Sequence, residues 1–395
     1  MSNYGLPGSE KIWQKPKLRD DDGALQHPVG WVELFFDLIF VVVIAVLADN
    51  LAGHEGLLQF AIQFTAIFWV WNGFVYYTER FESHGLDDRL FTFIAIVAAA
   101  GLAVWGRDGL GGNYSQFAGS YVLARMLNIG MWLRAGYHVP RFRPAALGFT
   151  GGFVVALGLL AASLFVPLQW RLVLFAAAVV LEIFAPAITG RLQAGLPALT
   201  RDKFPERFGL LTLIVLGETV TQVILSVAKT DTVARLSAPT IGLAVMGLAI
   251  GFGLWWVYFD FVARRATSQV LIVALGWIYL HLVMLIGIVV IGVALSETLA
   301  VSSGSPVPTE ARQFLLIGLG VVLVSVGLLE TTLERQPLES THPALSPAMK
   351  ILTGCIVAAL SAIPFGAVGL FAIAILALGI QAAYGAWGYY RRRET

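Results

Sequence analysis

The chain has 395 residues, 57% of them hydrophobic and only 13% charged, with a mean hydropathy of +0.77. A water-facing domain carries roughly 25% charged residues, so lipid must be the solvent for most of this protein. A formal net charge of +1 leaves no basic surplus for nucleic acid, and a single cysteine, Cys355, excludes an intramolecular disulfide.

Residues 1–28 are polar, with Lys11, Lys15, Lys17 and Arg19 followed by Asp20, Asp21 and Asp22. They lack the apolar centre and small-residue cleavage site of a signal peptide, which predicts a cytoplasmic tail. A spanning helix needs about 20 mostly apolar residues. That window predicts spans over Val29–Ala48, Gly56–Tyr77, Arg89–Gly106, Ser115–Tyr137, Ala146–Val166 and Trp170–Thr189 in the first half. In the second half it predicts Phe208–Ala228, Pro239–Val262, Val270–Leu295, Gln313–Thr331, Pro347–Pro364 and Ala367–Tyr390. Only Phe365 and Gly366 separate the last two, so one of them is a candidate re-entrant segment. The expected fold is all-α and polytopic, with a transmembrane domain over 29–390 and a short cytoplasmic tail over 391–395.

Charge tests this count, because Lys and Arg in short loops resist translocation. With the amino terminus inside, twenty of the 26 basic residues fall in cytoplasmic segments. Five (Arg107, Arg171, Lys229, Arg235 and Arg312) fall outside, and Arg125 lies within a span. The alternation places both termini in the cytoplasm, on the inner side of a bacterial plasma membrane. The halves echo each other: Glu33 and Asp37 in the first span answer Glu218 in the seventh, and Trp69-Val70-Trp71 answers Trp255-Trp256-Val257. Two six-helix repeats, 29–190 and 207–390, would be related in parallel by an axis along the membrane normal. Apolar helices also resemble one another by composition alone, so both explanations stand.

Charge inside a span is expensive, roughly 2.5–3.5 kcal/mol at a helix centre, and therefore informative. The intramembrane ionisable residues are Glu33, Asp37, Arg125, Glu182, Glu218, Asp260 and His281. At a 1.5 Å rise per residue, Arg125, Glu182, Glu218 and His281 each lie about 15–18 Å from the start of their spans, which predicts one shared level near the midplane. Arg125 needs a carboxylate and is expected to pair with Glu182 or Glu218. The pair is either a structural clamp or part of a pathway. Glu33 and Asp37, four residues apart, share one helix face. His281 reads as an interhelical hydrogen bond or a proton relay, and Asp260 as a solvated end or a pathway residue. Pro186 cannot bond the carbonyl of Glu182, so a polar notch or an ordinary kink is expected there. The aromatic run Trp255, Trp256, Tyr258 and Phe259 reads as an interfacial belt, with an ammonium cage as the alternative. No phosphate-binding loop, zinc-protease helix or nucleophile elbow occurs, and the six histidines show no ligand spacing. No cofactor, metal or enzymatic activity is expected.

The string Glu33-Leu34-Phe35-Phe36-Asp37-Leu38-Ile39-Phe40-Val41 resembles the signature of the bacterial low-temperature-requirement A family. Glu206-Arg207-Phe208-Gly209-Leu210-Leu211, Leu216-Gly217-Glu218-Thr219, Trp255 to Asp260 and Tyr279-Leu280-His281-Leu282 extend the resemblance across both halves. It implies a multi-pass inner-membrane protein linked to growth in the cold, and names no substrate. Phe36-Asp37 is also faintly similar to the Phe-Ser-Asp signature of a lysosomal and bacterial potassium-channel family, with Phe36 standing where that family has Ser. Two functions are expected. One is a secondary transporter or channel for a cation, proton or small solute, working through the buried carboxylates. The other is a non-transporting scaffold, sensor or lipid-interacting protein of cold adaptation. The expected partners are the bilayer and a small ion or solute, a homo-oligomer staying open.

Overall fold

Inside lipid a backbone must satisfy its own N–H and C=O groups, and a helix does so within one segment. A computed structural model of the chain describes residues 13–18, 29–53, 56–82, 85–193, 203–228, 237–263, 265–268, 270–301, 306–335 and 341–393. Those residues are overwhelmingly helical. In order the helices are α1 (Trp31–Ala52), α2 (Leu57–Arg80), α3 (Leu86–Val104), α4 (Tyr114–His138), α5 (Arg143–Ser163), α6 (Leu168–Ile188) and the short α7 (Gly190–Gln193). Then follow α8 (Lys203–Ala228), α9 (Ala238–Tyr258), α10 (Leu271–Ala300), α11 (Thr309–Thr332), α12 (Leu345–Leu360) and α13 (Ala367–Arg393). A 3₁₀ turn, Pro140–Phe142, precedes α5, and a π-helical turn, Phe259–Ala263, follows α9. Two-residue strands, Lys17–Leu18 and Phe81–Glu82, pair antiparallel.

Every predicted span coincides with one helix, and α7 is the addition. Among the described residues nine helices are long and apolar enough to cross a membrane. The other three long ones fall short for different reasons. Helix α3 opens on Asp87, Asp88 and Arg89, and α4 carries Arg125 and Asn128. Helix α12 has 16 residues, about 24 Å at 1.5 Å per residue, against a hydrocarbon core of roughly 30 Å. Most boundaries moved by one to five residues. Helix α8 starts at Lys203 rather than Phe208, with Pro205 in its first turn, where its missing N–H costs nothing. Helix α10 continues to Ala300 rather than Leu295. The eleventh span ends at Leu360, and turns through Ile363 lead into Pro364, so more chain separates it from α13 than the sequence suggested.

The chain divides into two compact units, one of Met1–Val43 with Ile62–Phe204, the other of Ile44–Ala61 with Pro205–Thr395. In the first, α4 turns one face inward: Tyr114, Phe117, Tyr121, Arg125, Asn128 and Trp132 are all buried at three- and four-residue spacing. Trp132 stacks on Phe142 at 5.2 Å and on Phe149 at 5.0 Å between ring centroids. In the second unit α10 is the central rod, buried on all sides from Gly287 to Leu295. Its neighbour α11 approaches through facing glycines. A Cβ on Gly287 would lie 3.2 Å from the Gly318 carbonyl, and one on Gly320 would lie 2.7 Å from the Gly354 carbonyl of α12. Small residues at such contacts let backbones pack directly, a principal source of cohesion between helices in lipid.

Candidate functional site

Within the first unit, α4 and α6 place opposite charges against each other. Arg125 Nη2 lies 2.8 Å from Glu182 Oε2, and the two side chains are 1% and 0% exposed. Tyr121, one turn before Arg125, donates its hydroxyl to the same carboxylate oxygen and accepts from Arg125 Nη2 at 3.0 Å. The guanidinium also sits over the rings of Tyr121 and Phe153, 5.0 and 5.6 Å from their centroids. Glycine makes the space: a Cβ on Gly73 of α2 would lie 3.1 Å from Arg125 Nη1 and 3.4 Å from Asn128 Nδ2. Glu182 is thus the carboxylate that Arg125 uses. At Pro186 the chain resolves its helix end through Thr189 and Gln193, which donate to the carbonyls of Ala185 and Pro186.

Not all of this interior is matched. Glu182 Oε1, Arg125 Nε, Asn128 Nδ2, Asn72 Oδ1 and both polar atoms of Gln63 are buried with no hydrogen-bonding partner in the protein. A native interior leaves few such groups, and each needs an explanation.

The signature carboxylates of α1 both turn inward. Asp37 is 1% exposed and accepts the Trp71 Nε1–H at 2.8 Å. Glu33 accepts the Gly30 backbone N–H at 2.9 Å, half of a capping box, and takes Lys203 Nζ at 2.8 Å. The same ammonium lies 3.8 Å from Glu79. Two acidic residues therefore share one lysine at this end of the unit.

In the second unit Glu218, 5% exposed, accepts from Gln222 Nε2 at 2.7 Å, and the same amide reaches Asp49 of α1 at 3.5 Å. His281 lies elsewhere. Its Nδ1 is 2.9 Å from the Trp277 carbonyl, so it donates there and Nε2 accepts the Tyr258 hydroxyl at 3.1 Å. With Phe208 edge-on at 5.1 Å, the ring is fully committed. The expected shared level does not hold here. Along α8, Phe208 touches His281 while Thr219, beside Glu218, bonds the Ile288 carbonyl at 3.3 Å. Those contacts are about 16 Å apart along α8 and about 10 Å apart along α10 at 1.5 Å per residue. Counting depth from each helix start assumes that the starts lie in one plane, and α8 and α10 are staggered. Asp260 is on the π turn, its Oδ2 accepting from Trp256 Nε1 at 2.6 Å, at an exposed helix end.

Sequence reasoning missed a further cluster. Lys350, fully buried on α12, bonds Glu330 of α11 at 3.0 Å and Ser346 at 2.9 Å, and its ammonium lies 3.4 Å from the Phe261 ring centroid. Arg265 completes it, 3.6 Å from Glu330. Both charges lie near predicted span ends, where position along the chain does not separate loop from interior. The usable signal was Glu330 and Lys350 at facing ends of adjacent spans. Asp87 with Arg134, at 2.6 Å, was missed for the same reason. Among the described residues no group of His, Cys, Asp and Glu is arranged to hold a metal.

Residues 28–386 match the family model described as bacterial low temperature requirement A protein (LtrA), nearly the whole chain. The helix strings around Asp37, Glu218, Asp260 and His281 all fall inside that stretch. No curated protein matches the chain.

Proposed function

Since this chain belongs to the bacterial low temperature requirement A family, and so is a membrane protein of many apolar helices, we propose that it is a secondary transporter or channel. Its cargo is a cation, a proton or a small solute, and it carries out no group-transfer chemistry. The observation that supports this reading is a set of unmatched buried polar atoms in the first unit: both polar atoms of Gln63, Asn72 Oδ1, Asn128 Nδ2 and Glu182 Oε1. An amide buried without a partner costs roughly 2–7 kcal/mol depending on the reference. A protein that needed only to be stable would gain by replacing Gln63 with leucine. A passage that strips water from a solute needs such groups, because they replace the hydration shell. Asp37, buried and held by Trp71, supplies the negative charge that attracts a cation, and Glu33 with Lys203 forms the approach to it.

On this reading all twelve long helices cross an inner membrane, α3, α4 and α12 included, in two six-helix halves with both termini cytoplasmic. Reporter fusions after successive helices should alternate, and a periplasmic carboxy terminus would refute the arrangement.

The functional test is flux into liposomes across a panel of monovalent cations, protons and small solutes. Native protein should conduct at least one of them. Asp37→Asn, isosteric but uncharged, should bring that flux to the empty-liposome level while accumulating normally. Gln63→Leu should unfold at a higher temperature than native protein and yet conduct less. Native protein silent to the whole panel, or Gln63→Leu that is stabler with undiminished flux, would overturn the proposal. The second reading, a non-transporting scaffold or sensor of cold adaptation, is favoured by His281, whose two nitrogens are both satisfied by the fold.

A further inference from the structure

Where α9 ends, the π turn lets the backbone accommodate one extra residue and swing Asp260 outward, and π turns of this kind recur at functional sites. Between this turn and the end of α13 lies a cleft of about 360 Å³ whose lining includes Trp256, Asp260, Phe261, Ala386, Tyr389 and Tyr390. Its parts are held in place. The Trp256 indole N–H fixes the Asp260 carboxylate at 2.6 Å. Phe261, at the base, is pinned by the Lys350 ammonium 3.4 Å from its ring centroid. Gly385 lets α13 close on that ring, since a Cβ there would come within 2.9 Å of it. The tyrosine rings stand edge to face at 5.6 Å and are 50% and 65% exposed. Of the aromatic run noted in the sequence, only Trp256 reaches the cleft. Tyr258 is buried against His281, and Phe259 stacks on Trp255.

A carboxylate set among aromatic side chains recognises an organic ammonium, which a hydrocarbon-facing wall alone would not. The cleft also has a lipid-side approach. Leu376, Ile380 and Trp387 of α13 and Phe252 of α9 expose apolar surface, and Trp and Tyr concentrate where bilayer meets water. We propose that this cleft binds the ammonium group of a membrane lipid headgroup, with the acyl chains lying along the apolar surface of α13. The site is independent of any transport path through the first unit.

The test uses full-length protein reconstituted in nanodiscs of equal phosphatidylethanolamine and phosphatidylglycerol, then examined by native mass spectrometry for retained lipid. Native protein should retain phosphatidylethanolamine in preference to phosphatidylglycerol. Asp260→Asn should lower that retention about tenfold, the loss expected for one charge-assisted hydrogen bond. Ala386→Leu, which fills the cleft without touching a charge, should lower it similarly, and Val283→Ala, at an exposed position of α10 outside the cleft, should leave it unchanged. A parallel arm offers free ethanolamine and tetramethylammonium to delipidated protein. Binding of these that depends on Asp260 while lipid retention does not would keep the ammonium chemistry and overturn the lipid source. Equal retention of both lipids, or retention indifferent to Asp260→Asn and Ala386→Leu alike, would overturn the site itself.

Discussion

Replacing Arg125 with alanine should destabilise the protein by about 3–5 kcal/mol, the cost of leaving one member of a buried ion pair uncompensated. Glu182 is 0% exposed, and with the guanidinium gone Tyr121 alone would remain hydrogen-bonded to its carboxylate. The first unit also loses the packing of the guanidinium against Tyr121 and Phe153. The expected result is a large drop in unfolding temperature in detergent and in membrane accumulation. Removing both charges is expected to restore much of it, because apolar residues of similar volume often replace a buried pair without loss. The double variant Arg125→Met with Glu182→Leu should therefore accumulate better than either single change. An Arg125→Ala protein that unfolds at the native temperature would show that the pair contributes nothing to the fold.

The second large effect is expected where α11 and α12 touch. A Cβ on Gly354 would meet the Gly320 carbonyl at 2.7 Å, with Val324 at 3.0 Å and Leu323 at 3.2 Å. A backbone oxygen cannot rotate away as a side chain does, so the helices themselves must separate. Overpacking of this kind costs typically about 1–3 kcal/mol for small insertions. Gly354→Leu inserts a whole branched side chain and should abolish accumulation, with Gly354→Ala intermediate. Separation also breaks the bond of Lys350 to Glu330, leaving both charges buried and apart. Gly158→Ala and Gly379→Ala, whose added Cβ would meet nothing within 4 Å, are the controls. They should be neutral or slightly stabilising, by about 0.5–1 kcal/mol, because alanine loses less freedom in a helix. Gly354→Leu protein that accumulates and melts like these controls would refute the close approach.

The helices were legible because hydropathy over twenty residues is a one-dimensional property, and the lipid leaves no alternative to helix for such a stretch. Arg125 was legible for a related reason: an arginine inside a span must be answered by a carboxylate on a neighbouring span. What could not be read was which helices stand beside which, and at what height. Glu218 and His281 sit at nearly equal distances along their predicted spans, yet His281 faces Phe208 while Thr219, beside Glu218, faces Ile288. Stagger between helices comes from side-chain packing and leaves no mark on a hydropathy profile. Lys350 shows the complementary blindness. Counted as a loop charge, it is fully buried, because a neighbouring Glu330, a serine and an aromatic ring together replace its water.

Helix α4 carries its arginine and the unmatched Nδ2 of Asn128, and it is absent from the helices apolar enough to cross unaided. Its partner for the charge is not yet made when α4 leaves the ribosome: Arg125 and Glu182 are separated by 57 residues. At about 5–20 residues per second, the carboxylate follows roughly 3–12 s later. On the proposed twelve-helix arrangement, α4 has no stable place in the bilayer centre for that interval. It must wait at the membrane surface or within the insertion machinery until α5 and α6 arrive as a hairpin and carry it in. That arrangement implies assembly of this half from its later helices backward, and a chain truncated before Glu182 should leave α4 accessible to protease while α1 and α2 are already protected.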